Sequence, residues 1–155
     1  MILWFTGQPG SGKTTLTNRF IDDKLIGFMK ILPVRIVHVD GDDLRDVLDN
    51  KDYSEQGRRK NIQFAIDMAK VMDDKGYLVL VSLVSPYRDM REKLKSNRNI
   101  VEFYLHTTEI RGKEDYFVED YEPPLHNFTD INTDKLIKVS AYEVLVVYRQ
   151  MAAVA

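Results

Sequence analysis

One short segment constrains this chain more than any other: residues Gly7–Thr14 match the pattern G-x-x-x-x-G-K-[ST] in full. They follow an apolar run, Met1–Phe5, and precede a stretch compatible with a helix. Glycines let the backbone turn its N–H groups onto phosphate oxygens, and the start of the next helix adds partial positive charge. In such a loop Lys13 reaches the β- and γ-phosphates, and the Thr14 hydroxyl sits on Mg²⁺.

The context of the loop disfavours the alternative, a glycine-rich turn that binds nothing, so the sequence predicts a nucleoside triphosphate site. The residues expected to bind this nucleotide are Gly7, Gln8, Pro9, Gly10, Ser11, Gly12, Lys13, Thr14 and Thr15.

Size and composition predict a single domain, residues 1–155, with ordinary globular chemistry. The chain has 155 residues, a net charge of −2 and no cysteine. The charge gives no reason to expect nucleic acid or a membrane as partner, and the lack of cysteine excludes disulfides and thiolate metal sites. No secretory signal is visible, and the apolar stretch Val144–Ala155 is too short to span a bilayer. We therefore expect a cytoplasmic protein whose partner is a small molecule; a homodimer stays open.

Hydrophobic periodicity predicts alternating strands and helices, and hence a three-layer α/β sandwich: a mainly parallel sheet of about five strands with helices on both faces. Glu109–Phe128 has no clear period and is predicted as a loop. The predicted strands are Ile2–Phe5, Val34–Val39, Tyr77–Val84, Ile100–Leu105 and Phe128–Ile131, and the predicted helices are Lys13–Asp22, Asp43–Leu48, Glu55–Lys75, Pro86–Leu94 and Asp134–Met151.

Three polar clusters follow predicted strand ends: Gly7–Thr15, Asp40–Arg45 and Ser85–Arg91. Ligands of parallel sheets bind outside the carboxyl ends of the strands, so the clusters should share one rim and one active site. An aspartate of the second cluster is expected to hold a Mg²⁺-bound water or to accept a proton from an attacking hydroxyl. The alternative is a helix cap with a solvated charge pair, and Asp43 is the expected cap.

Several other polar residues allow two interpretations. Arg58 opens the long helix, where a bound anion would offset the unfavourable dipole interaction, whereas Arg59 and Lys60 are as readily a solvated face. Tyr53 suits stacking on a base or packing on the next helix. Arg88 and Arg91 lie three residues apart, which favours phosphate binding and surface pairing with Asp89 and Glu92 equally. The three histidines show no ligand spacing, and His38 is expected to be a packing residue.

The loop alone leaves the acceptor open. A guanine-reading Asn-Lys-x-Asp run is absent, and no strand ends in the apolar-then-Asp pattern of a hydrolase unless Val39-Asp40 serves. Small size with basic clusters on the rim suits a kinase for a small anionic acceptor.

The chain resembles the adenylylsulfate kinase family through an ordered set of motifs that covers nearly its whole length. No motif except the glycine loop is specific alone, but their order is. The motifs are Trp4-Phe5-Thr6-Gly7, Asp40-Gly41-Asp42 with Arg45, Tyr53-Ser54 with Arg58 and Asn61-Ile62, Ser85-Pro86-Tyr87-Arg88, Glu109-Ile110-Arg111-Gly112 and Tyr121-Glu122-Pro123-Pro124.

The resemblance implies a P-loop NTPase fold and transfer of the γ-phosphoryl group of ATP, with Mg²⁺, to the ribose 3′-hydroxyl of adenosine 5′-phosphosulfate (adenylyl sulfate, APS). By position, it implies Lys13 and Asp42 as catalytic residues, the latter as base or orienter of the hydroxyl. Phosphoryl transfer depends on alignment and charge neutralisation, so Asp42 should matter less than Lys13. Thr14 and Asp40 are the expected metal-site residues, and the expected substrate-binding residues are Asp40, Arg45, Tyr53, Arg58, Asn61, Ser85 and Phe117.

Two departures from the family pattern bear on the acceptor. Between Thr108 and Glu109 the family carries a longer helix and a lysine-rich lid, which are almost absent here, and Gly57 stands where the family usually has Asp. Lys113, Tyr116 or Phe117 are candidates to replace the missing cation and stacking ring. A shortened lid admits water, so two alternatives stay open: a related kinase for another small nucleotide or sugar derivative, and an ATP-binding module without catalysis.

Overall fold

A computed structural model of the chain describes residues 1–22 and 35–153 and contains five parallel strands in the order β2-β3-β1-β4-β5. This arrangement confirms the predicted α/β fold. The strands are β1 (Ile2–Thr6), β2 (Ile36–Asp40), β3 (Leu78–Ser82), β4 (Ile100–His106) and β5 (Phe128–Asn132), and the helices are α1 (Lys13–Asp22), α2 (Gly41–Val47), α3 (Glu55–Asp74), α4 (Arg88–Lys95) and α5 (Ile137–Ala152).

The central strand β1 divides the core into two layers because its side chains alternate across the sheet. Ile2 and Trp4 pack in one buried cluster, which includes the apolar face of α3, and Leu3 and Phe5 pack in the other, with α1 and α5. Both clusters are buried, so every β1 side chain is apolar up to the strand end. The glycine loop therefore leaves the middle of the sheet at its carboxyl edge.

Most predicted elements are present, and their boundaries differ for local reasons. α1 has the predicted bounds, and Ser54 caps α3 by accepting a hydrogen bond from the N–H of Gly57 at 3.2 Å. α4 begins at Arg88, so Pro86 precedes the helix and does not lie in its first turn. The predicted loop Glu109–Phe128 contains one 3₁₀ turn, Glu114–Tyr116. Val34 of the predicted second strand and residues 154–155 lie outside the described residues.

Candidate active site

The glycine loop curls over the amino end of α1. Gly10 and Gly12 have φ angles of 78° and 90°, and a Cβ on Gly7 would lie 2.2 Å from the carbonyl oxygen of Leu105. Side chains at these positions would strain or block the turn. The loop leads directly into α1, whose first internal hydrogen bond runs from Leu16 N–H to Gly12 O at 2.8 Å. Free N–H groups of the helix start thus face the cavity that the loop borders.

Lys13 is nearly buried and lies back along the loop. Its Nζ donates to the carbonyl oxygens of Gly7 and Gln8 at 2.9 and 2.8 Å. Burial lowers the Lys13 pKa to about 8, although the nearby carboxylates of Asp42 and Asp40 oppose the shift. The Lys13 ammonium therefore loses its proton only slightly above neutral pH. A phosphate group bound beside it would stabilise its charged form.

Asp40 is the N-cap of α2 and connects that helix to the phosphate loop. Its Oδ1 accepts from the N–H of Asp42 at 2.9 Å, and its Oδ2 accepts from the hydroxyls of Thr14 at 2.7 Å and Ser82 at 2.8 Å. Burial alone would raise the Asp40 pKa, but these hydrogen bonds outweigh it and keep the pKa below its usual value. The expected cap, Asp43, is wrong because α2 begins two residues before it, at Gly41.

His38 is connected to Asp40 through the hydroxyl of Ser82. Its Nε2 lies 2.7 Å from the Ser82 hydroxyl, which in turn donates to Asp40, so His38 does more than pack. Burial lowers the His38 pKa. A line of hydrogen bonds therefore runs from the edge strand β2 to the mouth of the phosphate loop.

A single cavity of about 1110 Å³ brings the predicted donor and acceptor residues together. Of the predicted loop residues, Gly7, Gln8 and Ser11 do not line this cavity. Its predicted lining residues are Pro9, Gly10, Gly12, Lys13, Thr14 and Thr15 on one side, and Asp40, Asp42, Arg45, Tyr53, Arg58, Asn61, Ser85 and Phe117 on the other.

Arg45 organises the loop before α3. Its Nη1 donates to the carbonyl oxygens of Asn50 and Asp52, both at 2.9 Å, and its guanidinium lies 4.2 Å from the centre of the Tyr53 ring. Tyr53 thus stacks on Arg45 and keeps 62% of its surface exposed. Asn61 donates to the carbonyl oxygen of Gly41 at 3.3 Å, while its buried Oδ1 has no hydrogen-bond partner among the described residues.

The family model "Adenylylsulphate kinase" matches residues 1–130. The chain belongs to the adenylylsulfate kinase family. This membership confirms the predicted class of enzyme, a kinase that transfers a phosphoryl group to a hydroxyl group.

Relatives with this name cover most of the chain. The adenylyl-sulfate kinase of Burkholderia ambifaria is 30% identical over 151 residues, which are 92% of this chain and 76% of that protein. That of Vibrio cholerae is 32% identical over 152 residues, which are 92% of this chain and 64% of that protein. The chain therefore spans about two thirds to three quarters of the length of these two curated relatives.

A solved structure supports the fold. The APS kinase of Mycobacterium tuberculosis, in complex with AMPPNP and APS, is similar with a TM-score of 0.77 at 23% identity over 96% of both chains. Among residues 1–22 and 35–153, no helix has both the length and the apolar character needed to cross a bilayer.

The departure from the adenylylsulfate kinase pattern at Gly57 has a local cause. A Cβ on Gly57 would lie 2.2 Å from the carbonyl oxygen of Asp52 and 2.4 Å from its Cγ. The Asp52 carboxylate also accepts from the N–H of Ser54 at 2.8 Å. The loop that Arg45 holds packs against the first turn of α3, and only glycine fits there.

Arg88 and Arg91 do not line the cavity, so of their two interpretations phosphate binding is wrong. Arg88 donates through Nε to the carbonyl oxygen of Pro123 at 2.9 Å. Arg91 is buried beneath the site and pairs with Glu102, with 2.7 Å between Nε and Oε1. Ser85 does line the cavity, and its hydroxyl accepts from Trp4 Nε1 at 3.0 Å.

Residues 109–121, here called the short lid, supply one cavity residue without a role predicted from sequence, Arg111. Arg111 donates through Nη1 to the carbonyl oxygen of Gly10 at 3.2 Å and through Nη2 to that of Thr133 at 2.8 Å. Lys113 and Tyr116 join Phe117 in the cavity wall, and the Lys113 ammonium lies 5.6 Å from the centre of the Tyr116 ring. The Glu-Ile-Arg-Gly motif was the available signal for Arg111, but its contacts with distant loops were not readable from sequence.

Lys13 gives a pH prediction. Its charged form binds phosphate, so ATP affinity should fall as pH rises through about 8, where the free protein loses this proton. Bound phosphate charge raises the Lys13 pKa again, so binding above pH 8 should take up a proton. Calorimetric titration with ATP in two buffers of different ionisation enthalpy measures this uptake. Binding above pH 8 without proton uptake would show that Lys13 is already fully charged there.

Proposed function

We propose that this chain transfers the γ-phosphoryl group of ATP to the ribose 3′-hydroxyl of adenosine 5′-phosphosulfate. One observation carries the proposal: residues of the phosphate loop line the same cavity as the carboxylates of Asp40 and Asp42 and the guanidinium groups of Arg45 and Arg58. Its volume of about 1110 Å³ has room for a donor and an acceptor together.

On the donor side, the loop N–H groups and the start of α1 would hold the phosphates. Lys13 would leave the carbonyl oxygens of Gly7 and Gln8 and move its ammonium to the β- and γ-phosphates. In that position the Lys13 ammonium would lie beside the phosphate oxygens that carry negative charge in the transition state, and would stabilise it.

Thr14 and Asp40 fit a magnesium site at the mouth of the loop. Their side-chain oxygens are 2.7 Å apart, and a lowered pKa keeps Asp40 ionised. Mg²⁺ prefers such hard oxygen donors, and phosphate oxygens and water would complete its coordination shell. When bound, the ion would neutralise charge on the transferred group.

On the acceptor side, Tyr53 and Phe117 would stack on the adenine, and Arg58 with Asn61 would hold the phosphosulfate end. Tyr53 and Phe117 are 62% and 44% exposed, so both rings have surface free for a ligand. The Nδ2 group of Asn61 would donate to the phosphosulfate oxygens, which can only accept. Its buried Oδ1, without a partner among the described residues, suits a hydroxyl donor of the substrate. Arg45 already holds the 50–52 loop and would act chiefly by fixing Tyr53.

An ADP-release assay with ATP, Mg²⁺ and adenosine 5′-phosphosulfate tests the proposal. We expect acceptor-dependent ADP release well above the background ATPase rate. The same assay with other anionic nucleotides and sugar derivatives distinguishes a related kinase, which the short lid leaves as the second candidate. ATP binding without any acceptor-dependent turnover would reject both kinase functions in favour of a binding module.

Asp42 is the proposed base or orienter of the hydroxyl, and Asp42→Asn should lower kcat by roughly a hundredfold, the low end for general base catalysis. The amide keeps the size of the side chain but accepts a proton poorly. Asp43→Asn is the matched control, since Asp43 is exposed and does not line the cavity. Steady-state kinetics of both variants provides the measurement, and equal rates for Asp42→Asn and Asp43→Asn would remove Asp42 from the mechanism.

We further propose a single domain over residues 1–155, a cytoplasmic location and a homodimer. The shared five-stranded sheet supports the first, and the lack of cysteine fits the second. Leu136, Val139 and Tyr142 support the third, because they are 67%, 40% and 58% exposed at helical spacing near the start of α5. Sedimentation velocity measures the assembly.

A further inference from the structure

Gln8 belongs to the phosphate loop but does not line the cavity, and its side chain is used elsewhere. Its Nε2 donates to the carbonyl oxygen of Val118, and its Oε1 accepts from the N–H of Val118, both at 2.9 Å. One side-chain amide thus pairs with both polar backbone groups of a residue 110 positions away in the chain. This geometry reproduces the pairing of neighbouring strands at a single residue.

Gln8 has one partner on the ATP side of the proposed site and one on the acceptor side. Its main-chain carbonyl oxygen accepts from the ammonium of Lys13 at 2.8 Å, and its side chain holds Val118, which follows Phe117 in the cavity wall. In the free protein, Gln8 therefore contacts both the donor lysine and the segment that carries the acceptor-side ring.

The short lid has few other attachments at this end. Arg111 ties its beginning to Gly10, and the Tyr121 hydroxyl lies 2.8 Å from the Thr6 hydroxyl at its end. Between them, the 3₁₀ turn is held by bonds within the lid itself, from Tyr116 N–H to Lys113 O and from Phe117 N–H to Glu114 O. The Gln8–Val118 pair therefore attaches the middle of the lid to the phosphate loop, directly after the Phe117 ring in the cavity wall.

We propose that Gln8 is a positioning residue that fixes the Phe117–Val118 segment of the lid against the phosphate loop. The inference rests on the proposed function in one respect: the segment is taken to form part of the acceptor site. An apolar side chain of similar size at position 8 fills the same space but leaves the Val118 N–H unpaired, while the Val118 carbonyl oxygen keeps the Tyr121 N–H at 3.2 Å. The ring of Phe117 then loses its fixed position, whereas the phosphate loop keeps its glycines and Lys13.

Gln8→Leu tests this role with two readouts. Hydrogen exchange at the Val118 amide should become faster by roughly tenfold, because the bond to Gln8 is its protection. In the ADP-release assay, KM for the acceptor should rise by roughly tenfold while KM for ATP changes by less than about threefold, the pattern of lost acceptor positioning.

Two further variants make the result specific. Gln63→Leu is the matched control, since Gln63 lies on the exposed face of α3 and donates to Asp67 at 2.9 Å, and it should change neither readout. Gln8→Glu keeps an acceptor for the Val118 N–H but loses the donor to its carbonyl oxygen, so exchange at Val118 should lie between the wild-type and Gln8→Leu values.

Unchanged exchange at Val118 in a folded Gln8→Leu protein would overturn the proposal, and so would equal increases in both KM values, which would place the role of Gln8 in nucleotide binding. The exchange measurement needs no substrate. A failure of the proposed function, seen as absent turnover in the wild type, is therefore distinguished from a failure of the Gln8 role.

Discussion

We expect Lys13→Ala to lower kcat/KM for acceptor-dependent phosphoryl transfer by at least about a thousandfold, the upper range for removing one preorganised charge from a transition state. Lys13 is the nearly buried cation that begins α1 and borders the cavity. Alanine leaves the loop glycines in place, so the loss would be one of charge and not of backbone shape.

Thermal unfolding separates this effect from damage to the fold. Burial disfavours the charged Lys13 and lowers its pKa to about 8, whereas its removal takes a donor from the carbonyl oxygens of Gly7 and Gln8. These two effects oppose each other, so the melting temperature should change little. Lys93→Ala is the matched control, because Lys93 is exposed on α4 and does not line the cavity. Retention of more than about a tenth of the wild-type rate by Lys13→Ala would contradict the role of the charge.

The sequence predicted those parts of the site whose chemistry is local. A glycine loop between a buried strand and a helix constrains its own backbone, so α1 begins at Lys13 as expected. Parallel strands bring their carboxyl ends together, so Lys13, Asp40 and Ser85 meet at one cavity although they are far apart in the chain.

Contacts that depend on long-range pairing were not predictable. Nothing in the loop motif shows that Gln8 binds Val118, and the helix pattern that grouped Arg88 with Arg91 could not show what faces each of them. The wrong cap, Asp43, has a similar origin: pattern alone did not show that the helix begins at Gly41 and leaves Asp40 as the cap. The contacts of such residues can be predicted only when the positions of the neighbouring helices and strands are known.

Arg91 gives the largest expected effect on stability. It is 2% exposed and pairs with Glu102, which is 1% exposed, and it also donates to the carbonyl oxygens of Ser85 and Glu122. Arg91→Met should lower the free energy of unfolding by about 3–5 kcal/mol, because it leaves the buried Glu102 with Lys95 as its one partner among the described residues and removes a donor from two carbonyl groups. Urea unfolding measures the change.

Arg59→Met is the matched control for Arg91→Met. Arg59 is partly exposed. It pairs with Glu55 at 2.7 Å and Asp89 at 3.0 Å and lies 4.2 Å from the centre of the Tyr87 ring, and we expect such surface contacts to contribute about 1 kcal/mol. If Arg91→Met also lowered the free energy of unfolding by less than about 1 kcal/mol, the buried Arg91–Glu102 pair would not stabilise the fold.

The double variant Arg91→Met/Glu102→Met separates stability from function. It removes both buried charges, and Lys95 keeps Glu92 at 2.7 Å, so the double variant should cost less than the sum of the two single changes. Methionine still cannot donate to the carbonyl oxygen of Ser85, whose φ of 34° is unfavourable for a residue with a side chain. Because Ser85 lines the cavity, we expect both Arg91→Met and the double variant to raise the acceptor KM, although the double variant regains stability. A wild-type acceptor KM in the double variant would show that Arg91 does not position Ser85.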